Sequence, residues 1–196
     1  MKLVLASKNQ KKLLEMNDIL SHLGVEVCSE AEAGVDLEVE ETGTTFEENS
    51  LLKAKAVMEA SGLPAIADDS GLCVDCLNGA PGVYSARYGG EGLDDAARYR
   101  LLLNNMRGQM TRAAKFVSVI TCCFPNGDVL SARGECPGTV AYAPMGEGGF
   151  GYDPVFFVPE LKKTFAQMTA GEKNAISHRG KALEAFKVKL EEYLKK

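Results

Sequence analysis

An α/β fold is expected from three features of the sequence. Short apolar strands alternate with amphipathic helices through the first half, and a strand–turn–strand hairpin occupies the second. Between them, one apolar strand runs straight into two adjacent carboxylates and then a long glycine-edged loop, which in α/β proteins is a common place for a site.

In chain order, Lys2 to Ala6 reads as the first strand. Ser7 with Gln10 three residues on is a capping-box pattern, so a helix is expected there, with Leu13, Met16, Leu20 and Leu23 at helical spacing up to Gly24. The junction Ser7-Lys8-Asn9-Gln10-Lys11-Lys12 sets a hydroxyl, an amide and three lysines at a helix N-terminus. Backbone N–H groups and the helix dipole already favour anions there. The glycines of a P-loop are missing. A solvated charged turn would also fit, but lysines run against the usual preference for acids in a first turn, so an anion site is favoured.

Val25 to Cys28 reads as a short strand, and Val35 to Glu41 alternates apolar with acidic residues, as a half-buried strand does. Thr45 with Glu48 caps the next helix, on which Phe46, Asn49, Lys53 and Val57 share a face. A lysine and an asparagine on that stripe either snorkel or face a polar cleft, and Glu41 just ahead favours the cleft.

Ser61-Gly62-Leu63-Pro64 stops the helix, and the run to Ala67 reads as a short buried strand ending in Asp68-Asp69-Ser70-Gly71. Carboxylates at the end of a core strand need a cation, either a metal or a lysine. Alternation sends Asp68 and Asp69 to opposite faces, so they should do different jobs. A solvated turn is the bland alternative. Asn78 to Gly82 reads as a stiff turn and Tyr84 to Gly90 as a polar loop. Leu93 to Met106 reads as a helix, and Phe116–Phe124 with Val129–Cys136 as a hairpin about Pro125-Asn126-Gly127-Asp128. The loop Gly146 to Pro154 carries Phe150, Gly151, Tyr152 and Asp153, and its glycines suit close approach of a flat ligand. Val155 to Val158 reads as a strand. Thr169 with Glu172 caps a short helix holding Lys173, which ends at Ser177-His178-Arg179-Gly180. Leu183, Phe186, Leu190 and Leu194 line a last amphipathic helix. His22 reads as a surface bystander and His178 as the better site candidate.

A net charge of −5 argues against a polymeric nucleic-acid partner but not against a single nucleotide. No apolar run spans a bilayer, and Met1 to Ala6 is too short for a signal-peptide core, so the cytoplasm is expected. Six cysteines include Cys73-Val74-Asp75-Cys76, but no second pair accompanies it, so reduced thiols are expected rather than zinc.

These parts suit a nucleotide polyphosphate. Lys12 and Lys53 would hold phosphates, Glu41 with Asp68 and Asp69 would hold Mg²⁺, and the glycine–aromatic loop with His178 and Arg179 would hold a base. The pattern alone leaves open which phosphorus is attacked. A nucleotide-binding regulator without turnover stays in view. A haloacid-dehalogenase-like phosphatase fits poorly, because it needs Asp-x-Asp after its first strand.

The chain resembles the inosine/xanthosine triphosphate pyrophosphatases over essentially its whole length. Six segments in order carry the resemblance: Leu5 to Lys12; Glu41-Thr42-Gly43 with Phe46, Glu48, Asn49 and Lys53; Ala67 to Leu72; Gly79 to Gly82 with Tyr84 to Arg87; Gly148 to Pro154; and Ser177-His178-Arg179. The related Maf-like pyrophosphatases share the Leu-Ala-Ser opening but not the last two segments. The resemblance implies a single domain, 1–196, of two lobes around a long curved mixed sheet with flanking helices and a nucleotide cleft between lobes. It also implies a homodimer that hydrolyses dITP, ITP or XTP to the monophosphate and pyrophosphate. On it, Asp69 is the acid–base residue and a metal ligand with Glu41, supported by Asp68. Lys12 and Lys53 contact phosphates, assisted by Asn9 and Ser70, and Phe150 to Asp153, Lys173, His178 and Arg179 form the base pocket. Phosphate roles for Lys8 and Lys11 stay open.

Overall fold

A computed structural model describes residues 1–196, and it is an α/β protein with a seven-stranded mixed sheet flanked by helices. In chain order the elements are β1 (Lys2–Leu5), α1 (Gln10–Leu20), β2 (Glu26–Ser29), α2 (Phe46–Ser61), β3 (Ala65–Val74), α3 (Asp95–Asn105), β4 (Ala113–Cys123), β5 (Val129–Val140), β6 (Phe156–Val158), β7 (Lys163–Thr164), α4 (Ala170–Ile176) and α5 (His178–Leu194). The strand order is β2-β1-β3-β4-β5-β6-β7, with β1 parallel to β2 and β3, and β6 antiparallel to β5 and β7. The chain forms two compact units: Met1–Asp69, Ser118–Gly134 and Lys181–Lys196 make the first, and Ser70–Val117 with Glu135–Gly180 the second.

In the first unit both faces of β1 and of the start of β3 are buried, which explains their unbroken apolar runs. Leu3, Leu5 and Ile66 pack with Met16 and Leu20 of α1 and with Leu183, Phe186 and Leu190 of α5. Val4, Ala65 and Ala67 point the other way, onto Ala54 and Val57 of α2. Each large side chain so buried contributes about 1.5–3 kcal/mol. Leu194, expected on the inner face of α5, is 44% exposed, because the helix has run past the core by then.

The second unit is built on Leu72, Leu102, Met106, Phe116, Phe156 and Phe165. Phe116 meets Phe156 edge-on at 4.6 Å and stacks on Phe165 at 5.5 Å. Such pairs prefer these offset or T-shaped geometries because the rings carry a negative face and a positive edge.

Several boundaries differ from the sequence expectation. Helix α1 is capped by Asn9, not Ser7: Asn9 Oδ1 accepts the N–H groups of Lys11 and Lys12, while Ser7 Oγ accepts from Asn9 N–H. The capping-box pattern was degenerate, and the amide two residues later reaches more of the free N–H groups. Val35 to Glu41 alternates as expected but pairs with no strand. Strand β3 does not end before its acids; it runs through Asp68, Asp69, Ser70 and Gly71 to Val74. Only Ser177 separates α4 from α5, so His178 and Arg179 open the last helix. A Cβ on Gly180 would collide with the Asn174 carbonyl, so glycine allows the two helices to join this tightly.

Candidate active site

In the first unit, β3 brings two buried carboxylates against lysines from two helices. Asp69 is 6% exposed, and its Oδ1 lies 2.9 Å from Lys53 Nζ. The same ammonium contacts Glu41 Oε1 at 2.7 Å and donates to the Asp68 carbonyl at 3.0 Å. Asp68 faces elsewhere: Oδ1 accepts from the Ser118 hydroxyl at 3.1 Å, and Oδ2 lies 3.5 Å from Lys12 Nζ. The alternation expected of the strand thus gives each acid its own lysine.

The electrostatics follow from this arrangement. Burial pushes the Asp69 carboxyl above the ordinary carboxylate range; Lys53 pulls it down only in part, and Glu41 and Asp68 add to the rise. Burial pulls Lys53 down, but Asp69 and Glu41 outweigh it and hold its proton more tightly than in a free lysine. One ammonium is thus shared by the Glu41 and Asp69 carboxylates. Asp69 Oδ2 is buried with no hydrogen-bond partner. Glu41, Asp68 and Asp69 against Lys12 and Lys53 leave one net negative charge.

Loop 41–45 is placed by α2. The Thr45–Glu48 capping box forms as expected, and Asn49 Oδ1 accepts Gly43 N–H at 2.8 Å. Asn49 is fully buried, so it pins the turn behind Glu41 instead of facing a cleft. Gly43 is required here: a Cβ would stand 2.6 Å from Asn49 Oδ1 and 2.7 Å from Glu48 Cβ.

Ser7, Lys8, Asn9 and Gln10 line a cavity of about 600 Å³ with Ser29 to Ala31 and Gly34 to Asp36. Lys8 pairs with Asp36 at 3.4 Å, both exposed, an interaction worth little in water. Lys11 and Gln10 are exposed and Ser70 is half-buried. Lys12 reaches the β3 carboxylates through Asp68.

In the second unit Asp153, 3% exposed, meets Lys173 Nζ at 2.6 Å and accepts Phe150 N–H at 3.1 Å. Burial pushes its carboxyl up against the pull of Lys173, of that N–H and of Arg179. Lys173 Nζ stands 4.8 Å from the Phe150 ring centre and Arg179 Cζ 5.7 Å, so the ring expected in the base pocket is engaged by two cations, as its negative face favours. His178 is buried and stacks on Phe116 at 4.6 Å. Tyr152 is also buried, its hydroxyl donating to the Ser85 carbonyl at 2.6 Å. It anchors the loop from within the core. The sequence reading missed Ser118 and Ser85. A lone serine inside the apolar run Phe116–Phe124 was the available signal for the first; the second stood in Tyr84-Ser85-Ala86-Arg87, but its contact runs through the backbone carbonyl, which no side-chain pattern reports.

No three carboxylates, imidazoles or thiols are grouped as a ready-made metal cage. Mg²⁺ does not need one, since it commonly takes one or two carboxylates and keeps waters and phosphate oxygens as its other ligands. The partnerless Asp69 Oδ2, the nearby Glu41 carboxylate and the net negative charge fit such an ion. None of the six cysteines is in a disulfide.

Fold and residues together define an α/β protein with lysine–carboxylate chemistry suited to phosphate esters and anhydrides. More narrowly, the chain belongs to the Ham1 family, whose model matches residues 3–189. It is 51% identical over 193 residues to a dITP/XTP pyrophosphatase of Haemophilus influenzae, covering 96% of this chain and 98% of that one. It is 46% identical over 195 residues to the dITP/XTP pyrophosphatase of an Exiguobacterium species, covering all of both. Among solved structures, a HAM1 protein from Coxiella burnetii superposes with a TM-score of 0.92 at 43% identity, covering 98% of this chain and 99% of that one.

Proposed function

We propose that this chain hydrolyses non-standard purine nucleoside triphosphates (dITP, ITP and XTP) to the nucleoside monophosphate and pyrophosphate, removing them from the nucleotide pool. The observation that carries this reading is Asp69: a buried carboxylate, raised by burial, with one oxygen on Lys53 and the other partnerless. The names of relatives about half identical over the full length support the same activity.

Asp69 orients a water and takes its proton as the water oxygen attacks phosphorus. The bond from that phosphorus to the bridging oxygen breaks, and its electron pair leaves with pyrophosphate. Lys12 and Lys53 neutralise charge growing on the phosphate oxygens, a preorganised role that demands no solvent rearrangement. Glu41 and Asp69 would hold Mg²⁺, which, when bound, supplies Lewis-acid charge to the phosphates and offsets the site's net negative charge. Phe150, Asp153, Lys173, His178 and Arg179 would receive the purine and select its 6-oxo edge. A site built to hydrogen-bond a keto oxygen leaves groups unpaired with adenine, a mismatch worth up to about 10⁴–10⁵. The working unit is proposed to be a cytoplasmic homodimer; the exposed Met110 and Tyr142 offer apolar surface for one.

The test is kcat/KM for ITP, dITP, XTP and ATP at saturating Mg²⁺. Strong preference for the three keto purines is expected. Equal constants for ITP and ATP would overturn the base-pocket assignment, and no turnover of any would favour a nucleotide-binding regulator.

A further inference from the structure

Several contacts hold the loop Gly149–Asp153, among them the Lys173–Asp153 ion pair already described. Asp153 closes it on itself through Phe150 N–H, and Tyr152 ties it to the Ser85 carbonyl. A further tie comes from the start of α3: Asp95 Oδ2 accepts Gly151 N–H at 2.8 Å. Gly151 lies at φ +60°, a left-handed conformation that sets the chain's direction between Phe150 and Asp153. Asp95 stands at the start of α3, which is itself fixed. Asp94 caps it by accepting Ala97 N–H at 2.7 Å, and the buried Arg98 donates to the carbonyls of Tyr88 at 2.9 Å and Leu93 at 2.8 Å. Leu102 of the same helix is in the core.

We infer that Asp95 is a positioning residue for purine discrimination: by gripping Gly151 N–H it sets where Phe150 and Asp153 stand. Asp95 touches no substrate in this scheme and acts only through the loop. The inference rests on the assignment of the 150–153 loop to the base. The competing explanation is that Asp95 merely complements the positive end of the α3 dipole. Its neighbour Asp94 separates the two, because Asp94 stabilises the same helix end without touching the loop.

The experiment compares wild type, Asp95→Ala, Asp95→Asn and Asp94→Ala by kcat and KM for ITP and ATP and by thermal melting. Loss of a hydrogen bond to a charged acceptor is expected to lower kcat/KM for ITP about tenfold in Asp95→Ala, chiefly through KM. ATP should change less, so the ITP:ATP ratio falls. Asp95→Asn keeps an oxygen able to accept the same N–H and should restore most of the ratio. Asp94→Ala should melt earlier with the ratio intact. The inference is overturned if Asp95→Ala leaves the ratio unchanged, if Asp95→Asn gives no recovery, or if Asp94→Ala lowers the ratio as much. A wild-type enzyme that does not prefer ITP to ATP would overturn the base-pocket reading as well, and is told apart because it appears before any substitution is made.

Discussion

Replacing Asp69 by Asn keeps the side chain's size and removes the charge proposed to accept the water's proton. Lys53 retains Glu41 at 2.7 Å and the Asp68 carbonyl at 3.0 Å, so the ammonium is not stranded. Because burial raises the Asp69 carboxyl, the folded state holds this charge at a cost near neutral pH. Asp69→Asn should therefore melt no earlier than wild type, as expected when a site residue is strained for function. Its activity should collapse. Loss of general-base help alone is worth about 10²–10⁴ in rate, or about 2.7–5.4 kcal/mol of barrier, and any loss of metal affinity adds to that. Asp68→Asn should behave in the opposite way. It breaks a buried contact with Lys12 and turns a donor toward the ammonium, so stability suffers first, though Lys12 is partly exposed and can swing away. The assay is kcat/KM for ITP at saturating Mg²⁺ for both variants, at a temperature where melts show both folded. A larger kinetic loss in Asp68→Asn would refute the assignment of the two carboxylates.

Three further outcomes are expected. Ser118→Ala removes a donor from the fully buried Asp68 side chain and should cost about 1–3 kcal/mol, read as roughly 2–4 °C of Tm for each kcal/mol in a chain of this size; an unchanged melt would show that the hydrogen bond is idle. Glu41→Gln should raise the Mg²⁺ concentration needed for half-maximal rate while leaving the fold intact, and identical Mg²⁺ titrations would remove Glu41 from the metal site. Asp153 takes up a proton above the ordinary carboxylate range because burial raises it, so its folded-state value exceeds the unfolded one. Its contribution to stability is then complete below the unfolded value and lost as pH rises through the folded one, so acid does not unfold the protein through this group. Acid instead loosens its hold on Lys173, and KM for ITP should rise as pH falls from neutral toward the carboxylate range. Asp153→Asn should flatten that rise; a profile equally steep in the variant would contradict it.

The fold was legible where patterns were local. The Thr45–Glu48 and Thr169–Glu172 boxes cap α2 and α4 as read, and the apolar runs of β1 and β3 are buried on both faces. Failures arose where tertiary partners decide. Asp68 and Asp69 looked like the end of a strand, but Lys12, Lys53 and Ser118 meet their side chains and let the strand continue. Val35 to Glu41 has a strand's alternation without a neighbour to pair with, and periodicity cannot report a missing neighbour. At the candidate site, the cation expected against the β3 carboxylates is a lysine, Lys53, paired with Asp69 at 2.9 Å. Residues that act through another residue were not legible: Asn49 on Gly43, Ser118 on Asp68 and Tyr152 on Ser85 each depend on a contact that no spacing encodes.

The most direct measurement is the product of ITP hydrolysis. Incubation of the purified protein with ITP and Mg²⁺, resolved by ³¹P NMR, should yield IMP and pyrophosphate in equal amounts, with no IDP at any time. Lys12 and Lys53 flanking the β3 carboxylates suit a leaving group of two phosphates. Orthophosphate appearing together with IDP would contradict the account and return the site to phosphatase chemistry.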